Sequence, residues 1–189
     1  MSEVDLKKRR LLQSAGAWGV LGAVGAAVPF LQSLNPSRVT RLKGMPVEVD
    51  VSNMSDGQQK TVMWRGKPVW IIKRSKEMLT SLDVLKGNLK DPSSESSSQP
   101  SYAQNQYRSV DPNYLVLLGV CTHLGCAPTY RPEKGAIDSE WQGGFFCSCH
   151  GSKFDLAGRV FEGVPAPTNL EVPPHHFQEG SLVIGEDGE

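Results

Sequence analysis

The four cysteines of this 189-residue chain are not scattered. They stand at 121, 126, 147 and 149, with His123 between them and His150 directly after the last. The result is two short boxes, Cys121-Thr122-His123-Leu124-Gly125-Cys126 and Cys147-Ser148-Cys149-His150-Gly151-Ser152. Any fold of this chain has to bring two loops together around thiols and imidazoles. Soft thiolates suit iron–sulfur clusters or zinc, and imidazole suits either metal, so ligand type alone leaves both open. The spacings C-x-H and C-x-x-H depart from the C-x₂₋₄-C and H-x₃₋₅-H of zinc fingers. Six candidates also exceed a four-ligand site. If two Cys and two His bind metal, two thiols remain, and in an exported protein such thiols pair as a disulfide.

Compartment is read from the other end of the chain. No charged side chain occurs between Arg10 and Arg38, and Leu11 to Leu34 is dominated by Leu, Ala, Gly, Val, Trp and Phe. About 20 such residues cross a bilayer as a helix. Gly16, Gly19, Gly22 and Gly25 offer a small-residue face to a neighbouring helix and make the anchor a mild one. Ahead of it, Lys7-Lys8-Arg9-Arg10-Leu11-Leu12 resembles a twin-arginine export signal, with Leu in place of the usual Phe. A cleaved secretory peptide is the competing reading, with Ala26-Ala27 as its processing site. The apolar stretch is longer than the 7–15 residues of a signal-peptide core, which favours a retained anchor.

Formal charge is zero, which gives no support for nucleic-acid binding, but residues 1–46 carry seven basic and two acidic side chains against thirteen and eighteen in the remainder. Residues 35–46, polar and bracketed by Pro36 and Pro46, read as a flexible tether. Beyond them Val47, Val49 and Val51 alternate with acids as an edge strand, and Val62–Trp64 and Val69–Ile72 flank a turn at Arg65-Gly66-Lys67-Pro68. Glu77–Lys86 predicts a helix capped by Ser75. Ser93–Ser98 lies in a polar stretch reaching Asn105 and is expected as a mobile surface insertion without chemistry of its own. Tyr114–Val120 and Leu182–Ile184 predict buried strands. Trp64, Trp70 and Trp141 are expected in the core, the His175-His176 pair in a surface loop without metal, and the acidic tail from Glu186 in solvent. The pattern is that of a small antiparallel β domain without βαβ units.

The two boxes resemble the Rieske [2Fe–2S] protein family, and within it the iron–sulfur subunit of bacterial quinol:cytochrome c oxidoreductase, the cytochrome bc1 complex. Gly163-Val164-Pro165-Ala166-Pro167 is similar to the proline loop which that family lays over its cluster. The resemblance implies a mainly β fold: a twin-arginine-like segment (1–10), one transmembrane helix (11–34), a hinge (35–46), and a Rieske-type antiparallel domain (47–189) with a cluster-binding part at about 118–168.

Carried over residue by residue, the resemblance implies one [2Fe–2S] cluster with Cys121 and Cys147 on one iron and His123 and His150 on the other. It pairs Cys126 with Cys149 as a disulfide and makes Ser152 a hydrogen-bond donor to a cluster sulfur. Two residues on, many high-potential members carry tyrosine; Phe154 stands here, which predicts a lower midpoint. Ser148 replaces the usual proline. Leu124 and Gly125 correspond to the apolar cap that docks at the quinol pocket of cytochrome b. The implied partners are a cytochrome b subunit, a c-type cytochrome, ubiquinol and membrane lipid, in a dimeric complex of the bacterial inner membrane with the soluble domain on the periplasmic side. A Rieske subunit of another exported oxidoreductase, of the arsenite-oxidase type, is the alternative; a zinc module and an oxygenase ferredoxin fit less well.

Overall fold

The computed structural model describes residues 5–35 and 44–187, and the chain divides into one unit up to Leu42 and another from Lys43. Most of the tether expected at 35–46 therefore lies outside the described residues, as do the ends of the chain.

In the first unit, helix α1 runs Leu6–Ser33, five residues earlier than the apolar stretch alone suggests. The reason is its cap: Asp5 accepts hydrogen bonds from the Lys7 and Lys8 backbone N–H groups, which starts the helix within the basic segment. Its 28 residues correspond to about 42 Å, longer than the roughly 30 Å hydrocarbon core. Pro29 sits inside the last turns, where it removes one helical hydrogen bond. Mean hydropathy over its most apolar window is 1.5, enough to cross a membrane.

The second unit contains three antiparallel sheets of three strands each. β1 (Val47–Asp50) pairs with β9 (Ser181–Ile184), which pairs with β8 (His175–Gln178). β2 (Gln59–Trp64), β3 (Lys67–Lys73) and β4 (Tyr114–Leu118) form the second sheet. β5 (Thr129–Arg131), β6 (Gly144–Cys147) and β7 (Ser152–Phe154) form the third. Trp64 pairs with Lys67, so only Arg65 and Gly66 turn the β2–β3 hairpin, and both take positive φ (51° and 76°). Two successive left-handed residues match the twist of the strands they join.

The second sheet is the middle layer, because alternate residues of its central strands enter different cores. Val69, Ile71, Val116 and Leu118 pack with Leu182 and Ile184. Trp70, Ile72, Leu115 and Leu117 pack with Phe145, Phe154, Cys121, Cys147 and Ala166. Trp70 stacks on Phe145 at 5.2 Å between ring centroids. Gly119 follows β4 because a Cβ there would overlap the Trp70 indole.

Helix α2 (Lys76–Val84) begins where Ser75 Oγ accepts the Met78 N–H, as its sequence predicts, and a 3₁₀ turn follows at Lys86–Asn88. Leu82 packs on Leu156 and Ala157, while Leu85 packs with Leu89, Trp141 and Phe161. Beneath this lid lies a fully enclosed pair, Arg159 and Asp155, bonded from Nε and Nη2 at 2.7 Å. Arg74 and Arg108 are buried as well. Arg74 donates to Pro112, Tyr107 and Leu156 carbonyls and to Ser109 Oγ. Arg108 donates to Gln99 Oε1. Burial lowers both guanidinium groups to about 10, against the pull of Asp155.

One expectation is refined and one is corrected. The serine-rich stretch keeps Ser93, Glu95, Ser96 and Ser98 exposed, as expected of a surface segment, but it is anchored to the domain: Ser94 and Ala103 are fully buried, and Ser97 Oγ donates to Asp91. Asn169, distant in sequence, donates from Nδ2 to the Asp91 carbonyl and Ser94 Oγ. Serine bonds to buried neighbours as readily as to water, so composition alone did not reveal the anchoring. His175 is not in a surface loop. It is a buried residue of β8, with its ring edge-on to Tyr102, and Tyr102 Oη accepts its backbone N–H at 2.7 Å. Burial lowers the pKa of its imidazole.

Candidate metal centre

Both boxes are built the same way. Box one follows β4 and box two is the connection from β6 to β7. The first cysteine of each box offers its carbonyl to the N–H of the glycine four residues on: Gly125 to Cys121 at 3.0 Å and Gly151 to Cys147 at 2.9 Å. Both glycines have positive φ (83° and 76°), a backbone state that side-chain-bearing residues seldom adopt. Each box is thus one tight loop closed by its glycine onto its first cysteine. A shared glycine at the same offset was the sequence signal for this, and Gly151 was not singled out from sequence.

The loops meet through their second cysteines. Cys126 and Cys149 form a disulfide with Cα atoms 6.7 Å apart, the pairing implied by the resemblance. Cys121 and Cys147 remain free, and both are buried in the same core. The Cys147 sulfur also lies within 4.8 Å of the disulfide sulfurs; those two sulfurs are already bonded and offer a metal no thiolate. The His123 and His150 rings approach edge-to-face, 4.7 Å between centroids. His123 is half-buried and His150 exposed. All six predicted Cys and His positions therefore converge at one end of the third sheet.

Two features test whether a metal group fits. His123 Nδ1 is buried without a hydrogen-bond partner, an arrangement that costs free energy unless something accepts the lone pair. Burial pushes the Cys121 thiol up, opposed by the His123 N–H, and the neighbouring Cys147 raises it further. The Cys121 thiol therefore resists ionisation on its own, and a bound cation reverses that by holding it as a thiolate. A pair of buried thiols and a pair of imidazoles, one with an orphaned inward nitrogen, fits a cluster with sulfur on one iron and nitrogen on the other.

The surroundings place the remaining predicted residues. Ser152 is fully buried at the start of β7, opposite Cys147 in the β6–β7 pairing, and its Oγ accepts the Ala166 N–H at 3.1 Å. Ala166 is buried in the same core as both thiols, while Gly163, Pro165 and Pro167 are exposed, so the proline loop packs on that core with its alanine inward. Thr122 Oγ1 donates to the Thr168 carbonyl and ties box one to the end of that loop, a role no local pattern announced. Phe154 is sealed in the core with Cys121 and Cys147. Leu124 is 71% exposed, an apolar side chain standing in solvent beside Gly125. Ser148 is exposed in the tip of box two.

Comparison with known proteins agrees with this arrangement. The Rieske [2Fe–2S] domain family matches residues 93–174. A protein of Allochromatium vinosum named ubiquinol-cytochrome c reductase iron-sulfur subunit is 52% identical over 193 residues, covering 99% of this chain and 93% of that protein. One of the same name from Bradyrhizobium diazoefficiens is 38% identical, covering 93% of each. Among solved structures, a chain of a hyperthermophilic respiratory Complex III matches with TM-score 0.50 and 26% identity, over 89% of this chain and 96% of that one. On its two boxes, its layered β domain and relatives matched almost end to end, the chain belongs to the Rieske iron–sulfur subunits of ubiquinol–cytochrome c reductase.

Proposed function

We propose that this chain takes an electron and a proton from quinol at the outer face of a bacterial inner membrane and delivers the electron to a c-type haem, with cytochrome b and c-type cytochrome subunits as partners in a dimeric complex. The observation that carries the proposal is the pairing of two buried free thiols with two imidazoles, one of them exposed, in disulfide-joined loops. Held by Cys121, Cys147, His123 and His150, a [2Fe–2S] cluster supplies a one-electron acceptor at about −150 to +300 mV, where all-thiolate plant-type clusters lie near −400 mV.

The chain's own residues supply the rest. His150 offers an exposed ring to a quinol hydroxyl, accepts its hydrogen bond and holds its proton at Nε2. In His123 the buried Nδ1 faces inward, which leaves Nε2 as the second proton site. Leu124 and Gly125 give the docking face an apolar shoulder that displaces water from the hydroxyl. Ser152, buried and held by Ala166, donates to the sulfur side of the site and favours the reduced state. Helix α1 holds the unit at the membrane, and the linker at 35–46 lets the domain visit both partners.

Purification of the native complex tests this directly. A rhombic paramagnetic signal on reduction, copurified haem b, and inhibitor-sensitive quinol:cytochrome c reductase activity are expected. Replacing His150 by Ala should abolish both signal and activity. Acid-labile sulfide without haem b would place the chain in another exported oxidoreductase.

A further inference from the structure

Lys90 belongs to neither box, yet it touches the proline loop twice. Its Nζ donates to the Val164 and Ala166 carbonyls, both at 2.8 Å, one on each side of Pro165. Pro165 and Pro167 bring no N–H of their own, so this stretch has few ways to bond to the domain beneath it. Among the described residues, the other hydrogen bond within 164–167 is the one from Ala166 N–H to Ser152 Oγ. The lysine itself is well placed to hold the loop. Its N–H donates to the Val160 carbonyl, the adjacent Leu89 bridges to Phe161, and the Glu162 N–H returns to the Asn88 carbonyl. An exposed lysine is ordinarily a solvated, mobile charge. Here two charge-assisted bonds converge from one ammonium onto carbonyls two residues apart.

The link to the metal site runs through Ser152. A hydroxyl that accepts the Ala166 N–H on one lone pair turns its own proton away from that donor. Ser152 pairs directly with Cys147 across β6 and β7, so its side chain shares a sheet face with that sulfur, and Cys121 is buried in the same core. The geometry points to Lys90 as a positioning residue: by gripping both carbonyls around Pro165 it fixes the Ala166 N–H, which orients the Ser152 hydroxyl toward the sulfur ligands and raises the midpoint potential. This rests on the [2Fe–2S] reading of the site.

The experiment is redox titration of the full-length protein in its native complex, followed by the paramagnetic signal, for wild type, Lys90→Met, Ser152→Ala and the double variant. Lys90→Met should lower the midpoint by up to ~59 mV, a tenfold change in a one-electron equilibrium, with the shape of the signal kept. Because both residues act through one hydroxyl, the double variant should titrate with Ser152→Ala and no lower. Amide exchange at Ala166 should quicken in Lys90→Met. An unchanged midpoint overturns the inference, and so do shifts that simply add, since a positive charge acting through space would be independent of Ser152. Should Lys90→Met not assemble, Lys90→Gln answers the same two questions. A wild type without the rhombic signal would instead defeat the cluster reading itself.

Discussion

Phe154 differs from tyrosine by one oxygen, and that oxygen would enter the sealed core that holds Cys121 and Cys147. A hydroxyl donor there stabilises the electron-rich state, so Phe154→Tyr should raise the midpoint potential, by an amount on the scale of ~59 mV per tenfold change in the redox equilibrium. Added volume in a filled core costs about 1–3 kcal/mol, so the same variant should melt earlier. Redox titration and thermal melting check the two halves, and an unchanged or lowered midpoint would refute the first. At this scale the four cysteines and two histidines that the structure brings together were legible because their spacing is local and unusual. Lys90 and Thr122 were not, since their contacts span 74 to 76 and 46 residues and leave no mark in neighbouring sequence.

Box two is the connection between strands β6 and β7, and it is joined to box one by a single covalent bond 23 residues long in sequence. Closing a loop of that size contributes about 3 kcal/mol in the chain-entropy estimate. Cys126→Ser or Cys149→Ser should therefore keep all four proposed ligands but shed the cluster faster, seen as quicker decay of visible absorbance on warming. A decay rate equal to wild type would show that the tight glycine turns suffice alone. Strands with clear alternation or continuous apolar runs, β1 to β4 and β9, could be read in advance. β5, β6 and β7 show neither pattern: Thr129–Arg131 holds one aromatic among polar residues, and Gly144, Cys147, Ser152 and Lys153 break up the runs around Phe145-Phe146 and Phe154. In the stretch 93–105 composition showed the exposed serines but hid the anchoring, because Ser97 and Ser94 bond to Asp91 and Asn169, partners distant from any local pattern.

The whole molecule joins an apolar helix to a compact β unit, and the linker between them is read from composition alone, its part in function being a proposal. If one fixed position cannot serve both quinol and haem, stiffening that linker with prolines between Val39 and Lys43 should slow haem reduction while leaving the cluster spectrum intact. Stopped-flow kinetics on the assembled complex would show it, and normal turnover would count against domain movement. The enclosed Asp155–Arg159 pair, with Arg74 and Arg108 beside it, also governs how the unit tolerates damage. Stripping away either member of that pair strands a bare charge at a cost of about 3–5 kcal/mol. A substitution at 155 or 159 thus removes a large share of the about 5–15 kcal/mol that holds an ordinary domain together, so the interior admits little error at that point.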